Sequence, residues 1–170
     1  KNDIIYNHIF RRNFMIIKGM KPITSLIIPD NLKNKILLAS SCELTDREKF
    51  LFKTSLEATS MMIEKDNLKK IHSTNVFFTH SGEIHFFPDD DMVEIGTHFR
   101  AITYRLDILR SVRNDKFIMF AFIEEMAHNF WDIEDEIEVK YKVMDIINQF
   151  IPGVTIDTDE LRRWKIYGFY

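Results

Sequence analysis

Cysteine, proline and glycine are scarce in this sequence. Its 170 residues include one cysteine, four prolines and five glycines. The single cysteine, Cys42, cannot form an internal disulfide, which excludes a small disulfide-stabilised domain and favours a reducing compartment. We therefore expect a cytoplasmic protein. The low proline and glycine contents argue against collagen-like, linker-like and turn-rich all-β chains.

The sequence also lacks an excess of positive charge and a long apolar run. Lysine and arginine total 23 against 26 acidic residues, a net charge of -3, so we expect no nucleic-acid partner. Charged residues interrupt each apolar stretch before it reaches the roughly 20 residues that a membrane span needs, so we expect no membrane association. No secretory signal pattern opens the chain. Because it begins at Lys1 instead of Met, we interpret it as part of a longer chain.

Apolar residues are plentiful, at 45% of the chain with 15 phenylalanines, which is enough for the core of a single domain. Apolar spacing predicts helices over 4–17, 30–39, 45–67, 116–131 and 133–150, and a short final helix after 157. The helix at 45–67 has the clearest start, since Thr45 and Glu48 match a capping box. Extended segments are predicted at 23–28, 75–79, 83–87, 92–99 and 101–109, with 75–79 and 83–87 joined as a hairpin.

This order of helices, then strands, then helices predicts an α+β fold. We expect a small antiparallel or mixed sheet packed against a long backing helix at 45–67 and a buried helix at 116–131. Residues 1–170 are interpreted as one domain, with an N-terminal helical or extended region at 1–44, a core at 45–151 and a C-terminal helix at 152–170.

The candidate functional residues lie at the end of the buried helix, where the sequence reads Glu124-Glu125-Met126-Ala127-His128. Residues four apart on a helix share a face, so Glu124 and His128 are neighbours and Glu125 lies beside them. Two carboxylates at the end of an apolar helix need solvent, a basic residue or a metal. Residues 124–138 contain seven acids and no Lys or Arg, so local salt bridges are not the obvious partner.

The segment Glu-Glu-x-x-His resembles the His-Glu-x-x-His helix of zincin metallopeptidases, with Glu124 in place of the first histidine. The resemblance implies that His128 is a metal ligand, that Glu125 is the catalytic general base and that Glu124 is a replacement ligand. In glutamate-type zincins the third ligand comes from the following helix. The run that starts at Glu138 is similar to that helix in ImmA/IrrE-type zinc peptidases, which implies Glu138 as the third ligand.

The same resemblance implies a zincin-like core at 45–151, with 101–109 as an edge strand that binds a peptide by strand addition. Zinc is the expected cofactor. The alternatives are manganese, iron or no metal. A Glu/His/Glu set is a harder (more oxygen-rich) donor set than the usual two histidines and one carboxylate, which shifts the preference toward manganese or iron or weakens binding. The function expected is that of a metal-dependent peptidase with a degenerate site, weakly active or inactive, and its partner is a peptide or protein. The alternative is a non-catalytic interaction module that binds a partner segment along 101–109.

Several other features have competing interpretations. The Glu125-x-x-His128 spacing also matches half of a di-iron motif, but no second copy of it occurs in the sequence. Cys42 is interpreted as structural. An acidic run could bind a hard cation or form a turn, and it consists of Asp89, Asp90, Asp91 and Glu94. Three histidines could supply a missing metal ligand, namely His80, His85 and His98. A basic run could bind an acidic peptide or form the solvated face of a strand, and it consists of Arg100, Arg105, Arg110, Arg113 and Lys116.

Overall fold

The computed structural model describes residues 19–80 and 100–152. Within them the strands are β1 (Lys21–Pro22), β2 (Ile36–Ser40), β3 (Thr74–Thr79) and β4 (Ala101–Arg105). The helices are α1 (Asp46–Lys65), α2 (Leu106–Ser111), α3 (Asp115–Trp131) and α4 (Glu136–Asn148), with a 3-10 helix at Asp30–Leu32. None of these helices is long and apolar enough to cross a bilayer.

Some predicted elements lie outside the described residues. They are the helix at 4–17, the extended segments at 83–87 and 92–99, the acidic run at 89–94, the histidines at 85 and 98, and the helix after 157.

The sheet is mixed, with strand order β1-β2-β3-β4. Strand β1 pairs with β2 antiparallel, whereas β2 with β3 and β3 with β4 are parallel. Parallel neighbours need a long crossover, and α1 forms the one between β2 and β3. The prediction of an α+β fold with a small mixed sheet is therefore confirmed. Within the described residues β2 and β4 pair with the two edges of β3, and the predicted hairpin partner at 83–87 lies outside those residues.

The prediction of a helix from Asp30 to about Ala39 is wrong. Only Asp30–Leu32 is helical, and Asn34 then takes a left-handed backbone conformation with φ of 61°. The chain continues as β2, whose residues Ile36, Leu38 and Ala39 are buried. An apolar run that is buried on both faces is typical of a parallel strand, and it is pairing with β3 that makes it extended.

The predicted strand at 101–109 is only half correct. Residues 101–105 form β4 with the expected alternation, since Ile102 and Tyr104 are buried and the residues between them are exposed. The chain turns helical at Leu106, which with Leu109 buries one face of α2. Leu106 fits both the two-residue apolar spacing of a strand, after Ile102 and Tyr104, and the three-residue spacing of a helix, before Leu109. The sequence pattern therefore predicts a strand that extends beyond its actual end at Arg105.

Helix α1 begins as the sequence predicts. Thr45 Oγ1 accepts a hydrogen bond from the Glu48 amide at 3.2 Å, and Glu48 Oε2 accepts one from the Thr45 amide at 2.7 Å. Burial opposes ionisation of the Glu48 carboxyl, but hydrogen bonds from Arg110 and Thr45 hold its pKa below the usual value. The capping box thus also ties α1 to α2, because Arg110 belongs to α2.

An aromatic cluster joins α1, the sheet and α3. Phe52 of α1 packs edge-on against Phe78 of β3 and Phe122 of α3, with ring centroids 5.0 and 5.3 Å apart. Tyr104 of β4 packs against Phe122 at 4.8 Å and donates its hydroxyl to the Phe122 carbonyl at 2.8 Å. These contacts fix the middle of α3, just before the glutamates. The prediction of a buried helix at 116–131 is too broad at the start of the helix, since Phe117 is 48% exposed.

The connection between α3 and α4 is short and well tied. Asp132 ends α3 in a left-handed conformation with φ of 53°, and Arg100 donates to its carboxylate at 2.6 Å. Asp135 caps α4, accepting hydrogen bonds from the amides of residues 137 and 138. Lys142 of α4 donates to Asp66 at the end of α1 at 2.6 Å. Helix α4 therefore starts at a defined place beside α3.

Candidate metal centre

Three side chains from α3 and α4 converge on one point. Glu124, His128 and Glu136 each offer one ligand atom, and these atoms lie within 4.8 Å of one another. Glu124 and His128 are four residues apart on α3, and Glu136 is the first residue of α4. All three are half-buried. The cluster therefore depends on the local helix spacing of α3 and on the position at which α4 begins.

The ring of His128 is oriented by the connection between the two helices. Its Nδ1 lies 2.5 Å from the carbonyl oxygen of Ile133. A carbonyl only accepts, so Nδ1 carries a hydrogen, and in the neutral tautomer with this hydrogen the lone pair is on Nε2. Nε2 lies 3.9 Å from Glu136 Oε1. A histidine that is held at one nitrogen by a carbonyl and open at the other is arranged as metal-ligating histidines commonly are.

The structure brings Glu136, and not Glu138, to this cluster. On α4 the inward face carries Val139, Lys140 and Val143, which are buried, and Glu136 belongs to that face by helical spacing. Glu138 is exposed, on the opposite side of the helix. The helix starts later than the sequence predicted, at Glu136 instead of 133, and the first residue of the helix is the one that reaches His128.

Glu124 is in an unfavourable environment for a charged carboxylate. Burial raises its pKa to about 7, with smaller contributions from the negative charges of Glu136 and Glu125. Lys140 and His128 act in the opposite direction. A carboxylate that is hard to ionise alone is stabilised by a bound cation, which is one reason to regard the cluster as a metal centre.

Lys140 is the residue of this site that sequence reasoning missed. The segment without Lys or Arg ends at 138, and Lys140 lies just beyond it. In the structure its side chain is only 6% exposed and its charge acts on Glu124. The available signal was its position four residues after Glu136, which places the two on one face of α4.

Glu125 lies at the surface beside the cluster. Partial desolvation of its carboxyl raises its pKa, the positive charge of His128 lowers it and the negative charge of Glu136 raises it. The Glu125 carboxylate also raises the pKa of the Tyr104 hydroxyl, although burial is the larger cause of that shift. Glu125 is thus within electrostatic reach of two cluster residues while it stays accessible to solvent.

The donor atoms fit a small divalent cation. Carboxylate oxygen and imidazole nitrogen bind zinc at about 2.0–2.2 Å, so two tetrahedral ligand atoms are about 3.4 Å apart. The present separations of up to 4.8 Å need a side-chain adjustment of about an ångström. Two carboxylates and one imidazole suit zinc, manganese or ferrous iron. Chemically, such a site can polarise a carbonyl group or activate water.

We expect Glu124 to make the metal-free protein less stable as the pH rises. A carboxyl whose pKa is raised by folding contributes stability below its unfolded pKa, near 4.5, and this contribution is lost as the pH rises to the folded value of about 7. Glu124→Gln mimics the protonated form. In urea unfolding with a chelator present, wild type should therefore lose up to about 3 kcal/mol relative to this variant between pH 4.5 and 7.5. Parallel pH profiles for the two proteins would contradict the raised pKa.

The basic run of the sequence is largely engaged inside the molecule. Arg110 binds the buried Glu48, so it is structural and not part of a free peptide-binding face. The pairs found in this run are Arg100 with Asp132, Arg105 with Asp107, and Arg110 with Glu48. His80, a candidate replacement ligand, is exposed at the end of β3 and is not part of the cluster.

A separate cleft of about 370 Å³ lies at the carboxyl end of β2. Its lining includes Lys21, Ser40, Cys42 and Lys49, and none of the three cluster residues. Cys42 is half-buried and packs against the core, in keeping with its interpretation as structural.

In comparisons with known proteins, no family model, no curated protein and no solved structure matches this chain.

Proposed function

We propose that the protein binds one divalent cation through Glu124, His128 and Glu136, and that it is a zincin-like, metal-dependent peptidase with weak activity. The observation that supports this best is the convergence of three ligand side chains from two helices. The orientation of His128 by the Ile133 carbonyl adds to it, because Nε2 is then free for a metal.

In this proposal each acid has a distinct role. Glu124 and Glu136 are ligands with His128, and Glu125 is the general base that removes a proton from the attacking water. A bound cation would supply Lewis acidity at the scissile carbonyl. Glu125 follows a ligand directly on α3 and is accessible to solvent, which suits a base that must meet water and substrate.

The ligand charge supports a weak rather than an efficient enzyme. Two carboxylates and one imidazole carry two negative charges, compared with one for two histidines and a glutamate. The additional charge makes a bound cation a poorer Lewis acid and shifts the preference toward manganese or iron. As part of the same proposal, we expect a reducing compartment such as the cytoplasm, and the presence of a single cysteine, which cannot form an internal disulfide, supports this expectation.

Metal binding is tested by comparing two glutamates of α4. Glu136→Ala removes a ligand, so we expect the affinity for zinc or manganese to fall at least thirtyfold. Glu138→Ala is the matched control, since this exposed residue is on the same helix but outside the cluster, and its affinity should stay within threefold of wild type. The measurement is isothermal titration of the chelator-treated proteins, with elemental analysis after desalting.

The two variants separate the alternatives. Loss of metal in Glu138→Ala but not in Glu136→Ala would support the ligand set implied by the sequence resemblance, against the cluster. Equal binding by both variants would place the metal elsewhere. No binding by wild type at any loading would remove the metal site and the peptidase proposal with it.

A second function is favoured by the position of β4. This strand is the last of the described sheet, and its residues Ala101, Thr103 and Arg105 are exposed. An end strand with a solvated face is suited to adding a partner strand. In this alternative the protein is a non-catalytic interaction module that binds a peptide segment along 101–105. A wild type that retains no metal would favour this alternative.

A further inference from the structure

We infer that Lys140 limits the affinity of the cluster for a divalent cation, so that replacing it with a neutral side chain tightens metal binding. This inference rests on the proposed metal site and adds a residue that sets its affinity. No ligand role is assigned to Lys140, whose ammonium has no lone pair for a metal.

The placement of Lys140 carries the first step. It lies one helical turn after Glu136, on the face of α4 that packs against α3. Its side chain is 6% exposed, so its charge is screened by little water. Its charge also acts on Glu124, a ligand from the other helix. Lys140 therefore shares one face of α4 with Glu136 and acts electrostatically on Glu124 across the interface between the two helices.

The direction of the effect follows from comparing the empty and the loaded site. Attraction between Lys140 and Glu124 is present in both states when Glu124 is ionised, so it largely cancels in the binding free energy. Repulsion between the ammonium and a dication is present only in the loaded state. Removing the ammonium therefore favours the loaded state. In a partly buried site such repulsion is weakly screened.

The test is the zinc dissociation constant of wild type, Lys140→Met and Lys140→Arg, measured by competition with a chromophoric chelator. The proteins are compared at pH 8.5, above the wild-type Glu124 pKa of about 7; because Lys140 lowers this pKa, its loss increases proton competition and so acts against the tightening expected in Lys140→Met. Lys140→Met should bind zinc at least tenfold more tightly than wild type. Lys140→Arg keeps the charge and should stay within threefold. Lys142→Met, which removes a lysine that pairs with Asp66, should not tighten binding.

The outcomes distinguish this inference from the metal site itself. Zinc binding by wild type with no tightening in Lys140→Met, or with equal tightening in Lys140→Arg, would overturn the role of Lys140 alone. Binding by Lys140→Met but not by wild type would support it strongly. Absence of binding in every variant would overturn the site as well. If the methionine variant does not fold, Lys140→Gln against Lys140→Arg repeats the comparison, with tightening expected only for glutamine.

Discussion

Glu125→Gln is expected to lower metal-dependent peptide hydrolysis by about 10²–10⁴-fold, the range that a general base contributes. Glutamine keeps the size of the side chain but has no basic oxygen for the proton of the attacking water. Glu125 is outside the cluster of ligand atoms, so the affinity for metal should stay within a few-fold of wild type. A loss of rate without a loss of metal is the result that assigns the base.

The measurement uses zinc- or manganese-loaded protein and fluorescently labelled casein as the probe, with a chelator-treated sample as the background. Glu138→Gln is the control, because it makes the same chemical change at an exposed position of α4. If hydrolysis survives in Glu125→Gln, another group is the base. If the variant also loses its metal, Glu125 acts at the site as a ligand or a structural residue.

A metal-loaded wild type that shows no hydrolysis above background would have a separate meaning. It would remove the peptidase part of the proposal and leave the metal site in place. The proposed site differs from one with two histidines and one glutamate, because its Glu124 carboxyl has a raised pKa and a buried lysine, Lys140, acts on it. Loss of chemistry with retention of a metal site is compatible with that difference.

Local signals in the sequence predicted local structure well. The capping box at Thr45 and Glu48 and the long apolar spacing behind it predicted α1, and the apolar spacing over 116–131 predicted α3. Such signals act within one or two helical turns, so they are readable from a single sequence. Pairing between strands is not local. Strand β2 is extended because it pairs with β3, more than 30 residues away, whereas the local sequence pattern predicts a helix there.

The candidate site likewise has a local part that the sequence predicts and a non-local part that it does not. The spacing of Glu124 and His128 on one helix placed them together, and the structure brings them together. The residue that α4 contributes depends on where this helix starts and which face it buries. Since each residue turns a helix by about 100°, a difference of two positions exchanges the inner for the outer face. The left-handed conformation of Asp132 ends α3, and the capping hydrogen bonds of Asp135 define where α4 starts.

Phe52→Ala is expected to reduce the free energy of unfolding by about 3–5 kcal/mol, the usual cost of removing a buried phenylalanine ring. Phe52 is fully buried and contacts aromatic rings from three other elements: Phe78 of β3, Tyr104 of β4 and Phe122 of α3. The ring thus joins α1 to the sheet and to the helix that carries the cluster. Its neighbours belong to separate elements, so they cannot collapse easily into the space that it leaves.

The control for this prediction lies two residues earlier on the same helix. Phe50 is 66% exposed, so Phe50→Ala should change the free energy of unfolding by about 0.5 kcal/mol or less. Urea unfolding of the two variants and wild type, followed by circular dichroism, measures both effects. A loss below about 1 kcal/mol in Phe52→Ala would contradict the packing of α3 against α1 through this ring, because relaxation of the neighbours rarely recovers that much. Comparable losses in both variants would indicate that the helix itself, and not the buried contact, is what the substitutions weaken.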